Sequence, residues 1–319
     1  MRPMRDILLR AVPALLLALP LTACGHDPDP GPGPGREGEP LGDGIAWTDG
    51  STIHFPGGEE VDSGIDVGSA WRTSHGVVRT SWDGGSVYVT PDGTVTDLDI
   101  PDDVGIATDR TQSLVAWIAT DPGDGVLHLL DPATGKERAA IKTDYDDAMS
   151  VSLDDDKVWL FGNELATTLE IDWPTGKVTK SPLQYVRNID SRYATVEGGN
   201  ENYVEAGAAK PGVIDLKTRK LTLRGWDWDI SPRDTYATTM LSDGDASTDD
   251  TRIGVRDLTT GKYVARFPAK PDDSGDLDWT WTADEKTVSW FEADVLVQCA
   301  IATSTCEREK VDAKRPSIL

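Results

Sequence analysis

Cysteine is nearly absent from this chain, at three residues in 319. That count excludes a structural zinc site of four cysteines. It leaves room for one modified cysteine and one disulfide, the usage of an oxidising compartment. Histidine is almost as scarce, and His26, His54, His75 and His128 lie apart without metal-ligand spacing. No Gly-x-Ser-x-Gly elbow and no phosphate-binding glycine loop occurs. Positive charge is short too: 31 Lys and Arg stand against 55 Asp and Glu, a formal net charge of −24. A phosphate backbone would be repelled by such a surface, so nucleic acid is not expected as a partner. A basic protein or a cation fits it better, beside the plain effect of acidity on solubility. No convincing long helical period appears.

The one long apolar run opens the chain. Met1 to Arg10 is basic, Ala11 to Leu21 is apolar and too short for a permanent span, and Leu21-Thr22-Ala23-Cys24-Gly25 follows. The expectation is a signal peptide over residues 1–23. The last five residues resemble the bacterial lipobox, which implies a diacylglycerol on Cys24 and anchoring at the outer, extracytoplasmic face of the cell membrane. Residues 24–44, with Asp-Pro-Asp-Pro-Gly-Pro-Gly-Pro-Gly among them, cannot bury apolar surface and read as an extended tether.

From residue 45 to 319 a turn recurs. Asp131-Pro132-Ala133-Thr134-Gly135-Lys136, Asp172-Trp173-Pro174-Thr175-Gly176-Lys177, Asp215-Leu216-Lys217-Thr218-Arg219-Lys220 and Asp257-Leu258-Thr259-Thr260-Gly261-Lys262 each follow a short apolar run. Weaker copies centre on Gly58, Gly93 and Ser304. Each marks a hairpin: Gly gives the positive φ a tight turn needs, and Asp or Thr bonds nearby backbone. A second series of turns lies midway, at Thr108-Asp109-Arg110, Leu153-Asp154-Asp155, Asp190-Ser191-Arg192, Ser231-Pro232-Arg233-Asp234 and Thr282-Ala283-Asp284-Glu285. Units of about forty residues with four strands are propeller blades. The fold expected is all-β, a seven-bladed β-propeller of four-stranded antiparallel blades, with six or eight blades as alternatives. Residues 45–63 hold only three strands, so the tail Arg315 to Leu319 is expected to supply the missing inner one.

The Asp-x-x-Thr-Gly-Lys turns resemble those of the PQQ-like and WD-repeat propeller superfamily, over about residues 45–319. Quinoproteins of that superfamily carry tryptophans after the Thr-Gly turn. Glu137-Arg138-Ala139 and Val178-Thr179-Lys180 stand there instead, so PQQ is not expected. The resemblance also extends to propeller lipoproteins that act as adaptors in envelope assemblies.

In the repeat register Cys299 and Cys306 take the places of Leu130 and Glu137, which face each other across a hairpin, so a disulfide is expected. Trp117, Trp159 and Trp290 fall on second strands and are packing residues. The pairs Trp226/Trp228 and Trp279/Trp281 precede midway turns; they either pack between blades or form an aromatic platform. Acidic loops such as Asp227, Asp229, Asp272 and Asp273 connect blades and share one side of the disc with loops between second and third strands. Trp226, Asp227, Trp228, Asp229, Asp272 and Asp273 are thus the candidate binding face, able to attract a basic partner or Ca²⁺. Asp243, Asp245, Ser247 and Asp249 alternate like a calcium loop, but Thr248 and Gly254 stand where an EF-hand needs Gly and Glu, so no EF-hand is expected. No cofactor is assigned beyond that Ca²⁺. The function expected is a monomeric binding or scaffold module for an envelope protein or cell-surface ligand. The alternative is a lactonase-like or lyase-like propeller enzyme using channel carboxylates.

Overall fold

The computed structural model describes residues 40–66, 68–101, 104–121, 124–143, 150–161, 168–190, 192–198, 210–241, 251–271, 277–314 and 316–319. The chain divides into two units, Met1–Gly35 and Arg36–Leu319, and the described residues belong to the second. Among them no helix is long and apolar enough to cross a membrane. Cys24, the alternating aspartates from Asp243, and Asp272 and Asp273 lie outside the described residues.

Seven four-stranded antiparallel sheets make a seven-bladed β-propeller, numbered in chain order, with strands of blade 2 within 68–98, blade 3 within 106–143, blade 5 within 186–224, blade 6 within 229–268 and blade 7 within 279–310. Blade 4 shows how sequence sets position: Ser150–Asp154, Lys157–Phe161, Thr168–Asp172 and Lys177–Ser181 follow one another from the channel outward. In the second strand Val158, Trp159, Leu160 and Phe161 are all buried, because neighbouring blades cover both of its faces. The fourth strand alternates nothing: Lys177, Val178, Thr179 and Lys180 are all exposed at the rim.

The ring closes with chain from both ends. Trp47–Asp49, Thr52–His54 and Glu60–Asp62 form three strands of blade 1. Pro316–Ile318 supplies the innermost strand, pairing Ile318 with Trp47 and Pro316 with Asp49. The Leu319 amide then donates to the Ala46 carbonyl at 3.1 Å, and its side chain is buried.

The recurring turn is the device that reverses each outer hairpin. All seven marks have positive φ: Gly58, Gly93, Gly135, Gly176 and Gly261, but also Arg219 at 57° and Ser304 at 53°. The leading aspartates hold the turn by accepting backbone N–H groups, at 3.0 Å from Thr175 to Asp172, 2.9 Å from Thr218 to Asp215 and 2.6 Å from Thr260 to Asp257. In blade 7 the same register sets Cys299 opposite Cys306, with Cα atoms 4.0 Å apart and a disulfide between them.

Among the described residues, apolar clusters fill six of the seven seams between blades. Trp117, Trp159 and Trp290 are buried in them. The seventh seam, between blades 7 and 1, has an edge-on contact of Trp47 with Phe291 and a cavity of about 440 Å³ against the closing strand.

Candidate functional site

The propeller has two unlike faces. Turns joining first to second and third to fourth strands gather on one, the turn face. Blade-to-blade loops and those joining second to third strands gather on the other, the loop face.

Among the described residues seven large apolar side chains are exposed. Val95, Val178 and Val264 belong to fourth strands on the circumference. The other four are Trp82 at 76% exposure, Trp226 at 56%, Tyr185 and Met240. Trp82 lies in the turn after Val77–Ser81, Met240 near the end of Tyr236–Leu241, and Tyr185 and Trp226 in blade-to-blade loops. All four therefore stand on the loop face. Exposed aspartates Asp66, Asp83, Asp99, Asp227, Asp278 and Asp312 accompany them. Between Tyr185 and Trp226, Arg187 is tied to Glu197 at 2.7 Å and to Asp227.

The segment Trp226-Asp227-Trp228-Asp229 does not lie on one surface as expected. Gly225 at φ 122° and Asp227 at φ 56° break the extended backbone on either side of Trp226. Trp226 and Asp227 are pushed into solvent, and Trp228 turns into the core between blades 5 and 6 with Arg256 over its ring. Asp229 faces the channel. Trp82 and Tyr185 were not singled out by sequence. The signal for Trp82 was a large aromatic in a Ser-x-Asp-Gly-Gly turn, where nothing can cover it.

First strands and midway turns of blades 2 to 7 line a channel cavity of about 280 Å³. Arg110, from the midway turn of blade 3, reaches across it to blade 7. It donates to the Trp281 carbonyl at 3.2 Å and to Thr280 Oγ1 at 2.8 Å. Burial pushes its guanidinium pKa down, and Asp229 and Asp190 oppose that. Burial raises Asp229 to about 6, against the pull of Arg110. The Trp281 and Trp279 indoles beside that carboxyl also favour its charged form.

Nearer the turn face, one oxygen each of Asp109, Asp154 and Asp155 come within 4.8 Å of one another. Asp109 is satisfied from within: Oδ1 accepts the Thr111 amide at 2.7 Å, and Oδ2 the Asp155 amide at 3.1 Å. Asp154 is raised to about 7, chiefly by burial and then by the charges of Asp109, Asp155 and Asp234. These three carboxylates are where a divalent cation would find oxygen ligands together. Asp and Arg meet in the channel cavity, and among the described residues lining it there is no His.

No known family model and no curated protein matches this chain. Solved structures do. Kuenenia stuttgartiensis hydrazine synthase is similar at 11% identity and TM-score 0.50, over 73% of this chain and 76% of that one. KlHsv2 with loop 6CD replaced by a Gly-Ser linker is similar at 12% identity and TM-score 0.50, over 77% and 81%. At such identity the likeness establishes the propeller fold and nothing of its use.

Proposed function

We propose that this propeller is a binding or scaffold module, held at the extracytoplasmic face of the membrane by a lipid on Cys24, that docks a basic envelope protein on its loop face. One observation carries the reading. Among the described residues, four of the seven exposed large apolar side chains, two of them tryptophans, stand on that face, and the other three are valines scattered on the circumference. Aromatic anchors with exposed aspartates beside them suit a basic partner: the charges steer and orient, and the rings give up area to a close contact. The test is crosslinked capture from native membranes with wild type, Cys24→Ala and Trp82→Ser/Trp226→Ser. One stoichiometric partner, lost in the tryptophan variant and reduced in the anchor variant, supports the reading. Capture unchanged by both variants refutes it.

A second reading, a propeller enzyme, is favoured by Asp154 and Asp229. Their carboxyls are raised to about 7 and about 6 within one cavity, which suits Asp154 to give a proton and Asp229 to take one near neutrality. Turnover of a lactone or uronate panel, abolished by Asp154→Asn, is its test.

A further inference from the structure

The chain enters the propeller on the turn face. The Leu41 amide donates to the Ser74 carbonyl at 2.7 Å, in the turn between the first two strands of blade 2. Arg72 ends the first of those strands and is 5% exposed. Its guanidinium donates to the Gly42 and Gly44 carbonyls at 2.7 and 2.6 Å. A buried guanidinium must keep its acceptors, so these two carbonyls are pinned. A Cβ on Gly44 would stand 2.9 Å from Pro56 Cβ, in the outer turn of blade 1. The chain towards Cys24 therefore leaves from the turn face.

The same face carries exposed cations in an otherwise acidic protein. Among the described residues, the turns of blades 5 and 6 there expose Arg192, Lys217, Arg219, Lys220, Arg233 and Lys262 and expose no Asp or Glu. Of these, Arg192 is tied to Asp215 at 2.8 Å. The repeat explains the pattern. The leading aspartate of an outer turn is drawn in to accept backbone amides, as Asp215 and Asp257 are, and the closing lysine is left outermost. The two faces lie a strand length apart, about 20 Å for a six-residue strand, and charge is screened beyond about 8 Å at physiological salt. A surface that meets the turn face therefore feels these cations rather than the net charge of −24. Beside an anionic bilayer each such residue raises partitioning about fivefold.

Chain exit and charge agree. To bring the loop face to the same membrane, the tether must run back around the rim, about 35 Å across the blade and down one strand. That is most of the roughly 50 Å that residues 24–39 span at the polyproline rise.

We propose that the turn face, at blades 5 and 6, rests on the anionic headgroups of the membrane that holds the anchor, and that the loop face points away from it. This deepens the docking reading and rests on the lipid at Cys24: the partner then meets the propeller on the side far from the bilayer.

The test uses the protein purified with its anchor and reconstituted in vesicles of phosphatidylcholine, alone or mixed with phosphatidylglycerol. Energy transfer to an acceptor lipid is read from a fluorophore at Thr259, in an outer turn of blade 6, or at Asp83 on the loop face. In mixed vesicles, transfer from Thr259 should exceed that from Asp83. The difference should shrink in phosphatidylcholine alone and in Lys217→Glu/Lys220→Glu/Lys262→Glu. Equal transfer from the two positions in mixed vesicles, or greater transfer from Asp83, overturns the proposal. So does a difference that the triple variant leaves unchanged. If that variant fails to fold, wild type in the two vesicle compositions decides, and the same difference in both overturns the proposal. Mass spectrometry of the N-terminal peptide reads the lipid on Cys24 by itself. Its absence would remove the anchor from the docking reading; a maleimide lipid coupled at Cys24, the one thiol left by the Cys299–Cys306 disulfide, then still decides the orientation.

Discussion

Replacing Asp154 by asparagine should stabilise the protein, and should do so only where the aspartate would be charged. In the fold this carboxyl keeps its proton to about pH 7, whereas an ordinary aspartate loses it near 3.8. Between those values the folded state binds the extra proton. The stability this lends is complete below about pH 4 and lost as pH rises through 7. Asparagine keeps the shape of the neutral form and cannot ionise. The ceiling on the gain at pH 8 is roughly 4 kcal/mol for a carboxyl sealed from water. Asp154 is only half-buried, and solvent screening cuts the expected gain to about 1–2 kcal/mol. For a domain of this size that is about 2–4 °C in Tm. Thermal unfolding in calcium-free buffer should show this difference at pH 8, shrinking from about pH 7 and gone near pH 4. No gain at pH 8, or one independent of pH, refutes the account of the channel's electrostatics.

Removing residues 315–319 takes away the inner strand of blade 1 and the buried Leu319, worth about 2 kcal/mol by itself; Tm should fall by at least about 5 °C, and no change would show that the tail does not close the ring. Cys306→Ser should cost about 2 kcal/mol in denaturant unfolding, the effect of opening a short loop, and added reductant should reproduce it in wild type. Ser304 occupies left-handed backbone without being glycine, so Ser304→Gly should gain about 0.5–1 kcal/mol, while Gly261→Ala should lose about 1 kcal/mol in the same assay.

The blades were legible because the outer turn is a local device. Asp172 needs only Thr175 beside it, so its spacing survives in sequence and sets the period. The same register put Cys299 opposite Cys306 and left blade 1 one strand short for Pro316–Ile318 to fill. The loop face was less legible. A two-residue alternation assigns Trp226 and Trp228 to one surface only if the backbone stays extended, and Gly225 and Asp227 are both at positive φ. The channel was hardest. Asp109, Arg110, Asp154, Asp190 and Asp229 come from four blades and converge only when the ring closes. Their signal was present all the same: most stand in the midway turns, where acids recur at each unit yet read as ordinary turn residues.

The most direct test of the docking face is photo-crosslinking from single positions in native membranes. A probe at Asp83, beside Trp82, should give one dominant partner adduct that disappears with Trp226→Ser. A probe at Thr134, in an outer turn of the opposite face, should not give it. Adducts that are the same from both positions, or that persist without Trp226, would contradict the assignment of the loop face as the binding surface.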